Sequence, residues 1–276
     1  EQSVALVHEN PELAQLDPHF QTYQALANLR LMQARPEDAL NITTQLAARL
    51  GQPGPHYHKA GLGRANTTAG EAHAYLGRFD QARQHFEQAH HNFIEAGDQA
   101  GLLHNHVVWA TEYFGQQGEW EPARQQLERA QTLSRTGEKT APVDKVRLHL
   151  GLAQLSLQAS THQQTGAHLA QAQELIESKG IFWWRAPFDY YRGMWLAAQG
   201  QFSEARGVYL HGLTAVAEGS NPDYLPLLLL NLADIAETTT AEREYLARCL
   251  QTAHKRARHL DRLHCFQVAR ALGKSK

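Results

Sequence analysis

Apolar residues recur every three or four positions along most of the chain, which is the spacing of one buried face of an amphipathic α-helix. The stretch from Phe79 to Glu95 shows this spacing most clearly, with apolar positions at Phe79, Ala82, Phe86, Ala89 and Phe93. The preceding stretch, from Leu62 to Leu76, has the small residues that let a neighbouring helix approach closely. Ala, Gln and Leu are abundant and β-branched residues are sparse, so the pattern predicts helices nearly throughout.

The helical pattern repeats about every 41 residues. Three segments share the order Gly-x-aromatic-x-x-Ala-Arg, followed by a large apolar residue four positions after the Ala, and they begin at Gly77, Gly118 and Gly200. The first interval is 41 residues and the second is 82, which is twice 41. A repeat of this length indicates stacked pairs of helices rather than one globular core.

A second series of glycines gives the same register independently. Each follows the second helix of a pair, at spacings of 40, 43 and 39 residues, and the series comprises Gly97, Gly137, Gly180 and Gly219. These positions predict helix C-termini. Prolines follow five to seven residues later, where the next helix is expected to begin, at Pro142, Pro187 and Pro226.

The domain organisation that follows is one superhelical domain over residues 1–276. We expect five helical pairs, at residues 19–50, 62–95, 102–135, 143–178 and 187–218. We also expect a shorter pair at 227–257 and a cap helix at 259–272. The chain begins at Glu1 without a Met or a signal-peptide pattern, so we expect a fragment of a larger protein.

The repeat resembles the tetratricopeptide repeat, a unit of about 34 residues. Six residues match its pattern, namely Gly70, Gly77, Phe79, Ala82, Phe86 and Ala89. The resemblance covers most of residues 19–257 and implies an all-α, right-handed α-solenoid superhelix of helix-turn-helix repeats. The longer unit here is similar to that of the helical-repeat domains of large bacterial transcriptional regulators, the maltose-system activator among them.

In tetratricopeptide superhelices the first helix of each pair lines a concave groove that binds ligands. By register, the resemblance implies groove positions at Arg64, Thr67, Glu71, Tyr75, Asn105, Val108, Trp109, Glu112, Gln116, Tyr190, Tyr191, Met194, Ala198, Leu228, Asn231 and Ile235. Asn side chains on such a face can hold an extended peptide backbone through a paired donor and acceptor. The alternative for Asn105 and Asn231 is a polar contact between helices.

The segment from Ile181 to Trp195 has the densest set of aromatic residues. Eight of its fifteen residues are aromatic or Met. Trp183, Trp184 and Tyr190 exceed what one buried helix face requires, so they are candidates for recognition of a peptide, a sugar ring or another subunit. The alternative is a loop that folds onto the adjacent repeat.

Charge and composition exclude several classes of function. The net charge is −2 and no apolar run is long enough to span a membrane, so neither nucleic acid nor membrane is an expected partner. The local basic stretch at 254–262 could contact an acidic partner or simply be a solvated helix face. Cys249 and Cys265 have no metal or redox spacing, which fits a reducing, cytoplasmic compartment.

The 17 histidines show no zinc-binding spacing, and no set of residues indicates catalysis, so we expect no metal, no cofactor and no enzyme. The expected function is a scaffold that binds a peptide, a protein segment or a small effector. Such a scaffold would be the sensory or assembly domain of a bacterial regulator, and homo-oligomerisation remains open. The alternative is a passive adaptor that assembles protein complexes.

Overall fold

The computed structural model describes residues 17–33, 35–51, 58–136 and 140–235. These residues form α-helices, two short 3₁₀ turns and one π-helical segment, and none of them forms a strand. The chain divides into two compact units, residues 1–140 and 141–276. Gly137, the end of the shorter pair, the cap helix, both cysteines and the basic stretch lie outside the described residues.

The first unit contains three helical pairs. Their helices are α1 (Asp17–Met32), α2 (Pro36–Leu50), α3 (Lys59–Tyr75), α4 (Phe79–Ala96), α5 (Gln99–Val108) and α6 (Trp120–Thr136). Helix α5 continues into a π-helical segment (Trp109–Phe114) and a final α-helical turn (Gly115–Gln117). Short connections make the two helices of each pair antiparallel neighbours.

The second unit contains two pairs and a further helix. Its elements are α7 (Pro142–Gln158), α8 (His162–Lys179), a 3₁₀ turn (Phe182–Trp184), α9 (Arg185–Ala198), α10 (Phe202–Ala217), a 3₁₀ turn (Pro222–Tyr224) and α11 (Leu225–Ile235). In each unit the first helices of successive pairs pack against one another more closely than the second helices do. The first helices therefore form one continuous face within each unit.

The turn between the two helices of a pair places a residue in the left-handed region. Gly77, Gly118 and Gly200 have φ of 69°, 73° and 76°, and an added Cβ would meet nothing within 4 Å. Backbone conformation rather than space therefore favours glycine at these positions. The equivalent turn between α7 and α8 has Ser160 at φ 54°.

Close contact between the paired helices comes from a small residue opposite an aromatic ring. A Cβ added to Gly70 would lie 3.0 Å from Phe86, and one added to Gly193 would lie 2.2 Å from Tyr209. Phe86 and Tyr209 are both fully buried. The core of these two pairs is thus an aromatic side chain packed against the bare backbone of its partner helix.

The π-helical segment adds one residue to the first helix of the third pair of the first unit. The side chain of His58 accepts a hydrogen bond from the Gly61 amide, and Asp98 does the same for Gly101, so the two helix starts are 40 residues apart. The turn glycines that end these helices, Gly77 and Gly118, are 41 residues apart. A π-helical turn accommodates an inserted residue within a helix, so residues before and after it follow different registers.

Candidate binding face

The first helices of the first unit carry partly exposed polar side chains along one side. On α3 these are Arg64, Glu71 and Tyr75, which lie seven and four residues apart and so share one side of the helix. On α5 and its continuation they are His104, Glu112 and Gln116. These six residues are called the inner face below.

Arg64 connects neighbouring first helices across the inner face. Its Nη2 lies 3.1 Å from Asp98 Oδ2, while Asp98 Oδ1 accepts a hydrogen bond from the Gly101 amide at 2.9 Å. The Arg64 side chain remains 42% exposed. An ion pair this exposed contributes little to stability, so its main effect is to orient the guanidinium at the start of α5.

Thr67 and Asn105 are fully buried, and their polar groups bond to the protein itself. Thr67 Oγ1 donates to Asn105 Oδ1 at 3.0 Å, and Asn105 Nδ2 donates to the Phe86 carbonyl at 3.1 Å. The single Asn105 side chain thereby connects α3, α4 and α5. Asn105 lies before the π-helical segment, where the register is 40 residues, so it is equivalent to the buried Ala65 and His104 is equivalent to Arg64.

Trp109 is part of the core rather than of the exposed surface. Its ring stacks between Phe86 and Phe114, with centroid distances of 5.7 and 5.8 Å and interplanar angles of 14° and 18°. Glu112, in the same π-helical segment, accepts a hydrogen bond from Thr111 Oγ1 at 3.2 Å. Gln116 Nε2 is 3.5 Å from the other Glu112 oxygen.

The aromatic segment of the second unit packs against the preceding pair and against the turn that follows α10. Trp184 is buried, with the Arg147 guanidinium 5.2 Å from the centre of its ring. The Trp183 carbonyl accepts hydrogen bonds from Ser220 Oγ at 2.9 Å and from the Asn221 amide at 3.3 Å. The two Trp residues are therefore positioned by intramolecular packing, and the neighbouring Phe182 keeps the larger exposed fraction, 44%.

The remaining predicted site residues of the second unit lie in or beside a group of three tyrosine rings. Tyr190, Tyr191 and Tyr224 meet edge to face, with ring centroids 5.0 to 6.3 Å apart. Tyr191 Oη donates to Gln154 Oε1 at 3.3 Å, and Met194 packs against the same core. Burial raises the pKa of Tyr190 to about 12, although a hydrogen bond with Asn231 acts in the opposite direction.

The structure thus brings together five of the predicted groove residues, Arg64, Glu71, Tyr75, Glu112 and Gln116, on the inner face of the first unit. Thr67, Asn105, Val108 and Trp109 lie inside the packing of that unit. His104 completes the inner face. A fixed spacing of 41 could not identify His104, whereas the 40-residue spacing of the two helix starts would have done so.

Comparison with known proteins bears on the fold. No protein-family model matches the sequence, and no curated protein gives a significant match. A tetratricopeptide repeat protein from Parabacteroides merdae has a similar crystal structure, with a TM-score of 0.55 at 15% identity, over 99% of this chain and 89% of the other. The fold is tetratricopeptide-like.

A second tetratricopeptide structure, the TPR2AB domain of yeast Sti1 in complex with pHSP90, is more distant. It has a TM-score of 0.35 at 12% identity, over 93% of this chain and 98% of the other. The all-α helical-repeat class predicted from the sequence is confirmed.

Within 17–235, leaving out the gaps given above, no helix is long and apolar enough to cross a membrane. In the same part of the chain, His, Cys, Asp and Glu residues form no group of three or more that could hold a metal ion.

Proposed function

We propose that the chain is a protein-binding scaffold that holds an extended segment of a partner protein against the inner face of its first unit. The observation behind this proposal is the set of polar, partly exposed side chains that share one side of α3 and of α5 with its continuation. The set includes a guanidinium, carboxylates, an amide and a phenol. An extended peptide offers backbone donors and acceptors at regular intervals, and side chains of this kind can bond to both.

Packing supports the same face. Successive first helices contact one another, so the inner face is continuous between α3 and α5. Arg64 and Glu112 are held by hydrogen bonds from within the unit. Side chains that are already ordered lose less conformational entropy when a ligand binds, which favours affinity.

The proposal includes no catalytic step. For the whole protein we propose a role as the sensory or assembly domain of a bacterial regulator, since the repeat is longer than the standard unit. A small effector could then bind the same face. A passive adaptor is the alternative, and it differs in that ligand binding would not change the conformation or oligomeric state.

A site-specific crosslinking experiment tests the inner face. A photoreactive amino acid at Tyr75 should capture a specific partner from extract of the source cells, whereas the same group at exposed Gln88 on α4 should not. A synthetic peptide from the captured protein is then titrated against Glu71→Gln/Glu112→Gln. The matched control is Glu87→Gln/Glu128→Gln, because these exposed residues are also 41 apart but lie on second helices.

We expect the first double variant to bind the peptide at least about tenfold more weakly, roughly the loss of one or two charge-assisted hydrogen bonds. The control variant should bind like the unmodified chain. Equal binding by both variants, or capture from Gln88 alone, would show that the inner face is not the binding surface.

A further inference from the structure

Three helical pairs share a histidine-centred hydrogen bond between their two helices. Asn66 Oδ1 lies 2.8 Å from His85 Nδ1, His106 Nδ1 lies 2.6 Å from Gln126 Oε1, and His149 Nδ1 lies 3.5 Å from His168 Nδ1. The partners are 19, 20 and 19 residues apart. The extra residue between His106 and Gln126 is the one that the π-helical segment adds. The contact therefore recurs at one position of the repeat.

Sequence register places the second partner consistently. His85, Gln126 and His168 each come immediately before the large apolar residue of the second helix, which is Phe86, Leu127 or Leu169. These apolar residues are buried, so the polar side chain beside them is held close to the core of the pair. The hydrogen bond is thus a built feature of the repeat.

In the first unit each bonded histidine also contacts a second imidazole ring. The rings of His73 and His85 stack, with centroids 5.2 Å apart and planes at 12°. The rings of His90 and His106 meet edge to face at 5.1 Å. Two neutral imidazoles tolerate such contact, whereas two imidazolium ions would repel one another.

The His149–His168 pair of the second unit shows the same constraint most directly. The two Nδ1 atoms are 3.5 Å apart while the ring centroids are 5.7 Å apart, so the nitrogens face one another. One ring must donate its proton and the other must accept it, because neutral imidazole has one donor and one acceptor nitrogen. When both rings are protonated, two N–H groups face each other and the hydrogen bond is lost.

The surroundings disfavour the charged form of each ring. Burial is the largest cause and lowers the pKa of His73, His106 and His149 to about 4, and it also lowers the pKa of His85, His90 and His168. The neighbouring cations add to this effect. It is opposed at His106 by the hydrogen bond with Gln126 and at His73 by Glu37, which is ion-paired with Arg78. The cations are Arg78 for His73, Arg129 for His90 and His106, and Lys145 for His149.

The remaining groups near these rings come from the same helix or from an adjoining one. His91, on the same helix as His90, adds a further repulsion for that ring. On the second unit, α9 presents Trp195 toward α8, where its Nε1 donates to the His162 carbonyl at 2.9 Å. His162 itself lies at the start of α8, six residues before His168.

We propose that these interhelical histidines form a proton-operated switch, which holds each helical pair closed when neutral and releases it in mild acid. Between about pH 4 and pH 6.5 the closed pair binds fewer protons than the opened chain, whose histidines titrate near 6.5. The closed state is therefore fully stable above about pH 7 and loses stability as the pH falls through that interval.

Replacing both rings of one pair tests the switch without removing its hydrogen-bonding capacity. In His149→Asn/His168→Gln, each new residue is the one found at the equivalent position elsewhere, as Asn66 and Gln126. Hydrogen exchange of the α7 and α8 amides, corrected for the intrinsic pH dependence of exchange, reports opening of this pair at pH 7 and pH 5. The control is His91→Gln, a change at an exposed histidine that lies outside the α7–α8 pair.

In the unmodified chain we expect opening of the α7–α8 pair to increase by about tenfold or more between pH 7 and pH 5, the equivalent of one pKa unit or more. The double variant should keep its protection at pH 7 and lose this increase, while α3 and α4 still open in acid. The single variant His168→Gln should lose part of the increase in opening between pH 7 and pH 5, and it replaces the double variant if that variant does not fold. An increase that persists in the variants, or no increase in the unmodified chain, would overturn the proposal.

Discussion

Ser160 shows that one turn position of the repeat requires a left-handed backbone conformation. It occupies the turn that Gly77, Gly118 and Gly200 occupy in other pairs, and its amide donates to the Leu157 carbonyl at 3.0 Å as theirs do to equivalent carbonyls. Its φ of 54° is unfavourable for a residue with a Cβ. The hydrogen bonds of the turn therefore impose this conformation on a residue that does not prefer it.

Replacing Ser160 with glycine should stabilise the second unit. We expect Ser160→Gly to raise the free energy of unfolding by about 1 kcal/mol, because glycine has no steric penalty at positive φ. Chemical denaturation followed by circular dichroism would measure the change. Gly200→Ser is the reciprocal variant and should lower stability by a similar amount, and the same sign of change in both variants would contradict this account of the turn.

At the scale of the helix, the π-helical segment separates two registers. Helix starts at His58 and Asp98 are 40 residues apart, and turns at Gly77 and Gly118 are 41 apart. The six residues of the segment accommodate the difference without moving either end of the helix. A regular α-helix has no such tolerance, because one added or removed residue turns everything beyond it by about 100°.

Deleting one residue at equivalent positions should therefore have very different effects. Removing Glu112 lets the π-helical segment become regular α-helix, so we expect the chain to fold with a melting temperature within a few degrees of the original. Removing Glu71 from the regular helix α3 misplaces the residues that follow, including the buried Ala72 and Ala74, and should cost several kcal/mol. Thermal unfolding of the two variants gives the comparison, and equal losses would show that the segment does not accommodate the residue.

At the scale of the molecule, stability comes from contacts between neighbouring helices. Within each unit the helices pack against adjacent helices of the same stack, as in other repeat proteins. Unfolding of such stacks is approximately a sum over repeats and their interfaces, so a single cooperative transition is not required.

We expect the two units to lose hydrogen-exchange protection at different denaturant concentrations. Mass spectrometry of peptides from α3–α4 and from α7–α8, taken from one sample across a denaturant series, measures both transitions together. The α7–α8 pair has the unfavourable Ser160 turn and should open first. Coincident transitions, in the original chain and in Ser160→Gly alike, would instead indicate one cooperative unit.

Sequence periodicity predicted the class of fold and the positions of the turns. The left-handed conformations of Gly97, Gly180 and Gly219 are found where the second glycine series places helix ends. These features depend on local backbone preferences and on the spacing of apolar residues, both of which are visible in a single sequence. Exposure of individual polar residues on a helix was harder to predict.

Asn105 and Trp109 illustrate the difficulty. A polar or aromatic residue at a groove position of the repeat looks the same in sequence whether it is exposed or bonded within the packing. The buried environment of Asn105 depends on the Phe86 carbonyl and on Thr67, which come from two other helices. The histidine bonds were likewise missed, because His85 and His168 each have a partner 19 residues earlier and the repeat was compared by its apolar positions.

The single residue in the π-helical segment has a consequence for how such chains are aligned. An insertion inside one helix changes the residue numbering of the half of the repeat that follows it, while the start and the end of the helix keep their structural roles. Superposing copies by a constant period therefore assigns the wrong equivalences only between the start of α5 and the inserted residue. Functional residues transferred between repeats, or designed into them, have to be counted from the nearer helix end.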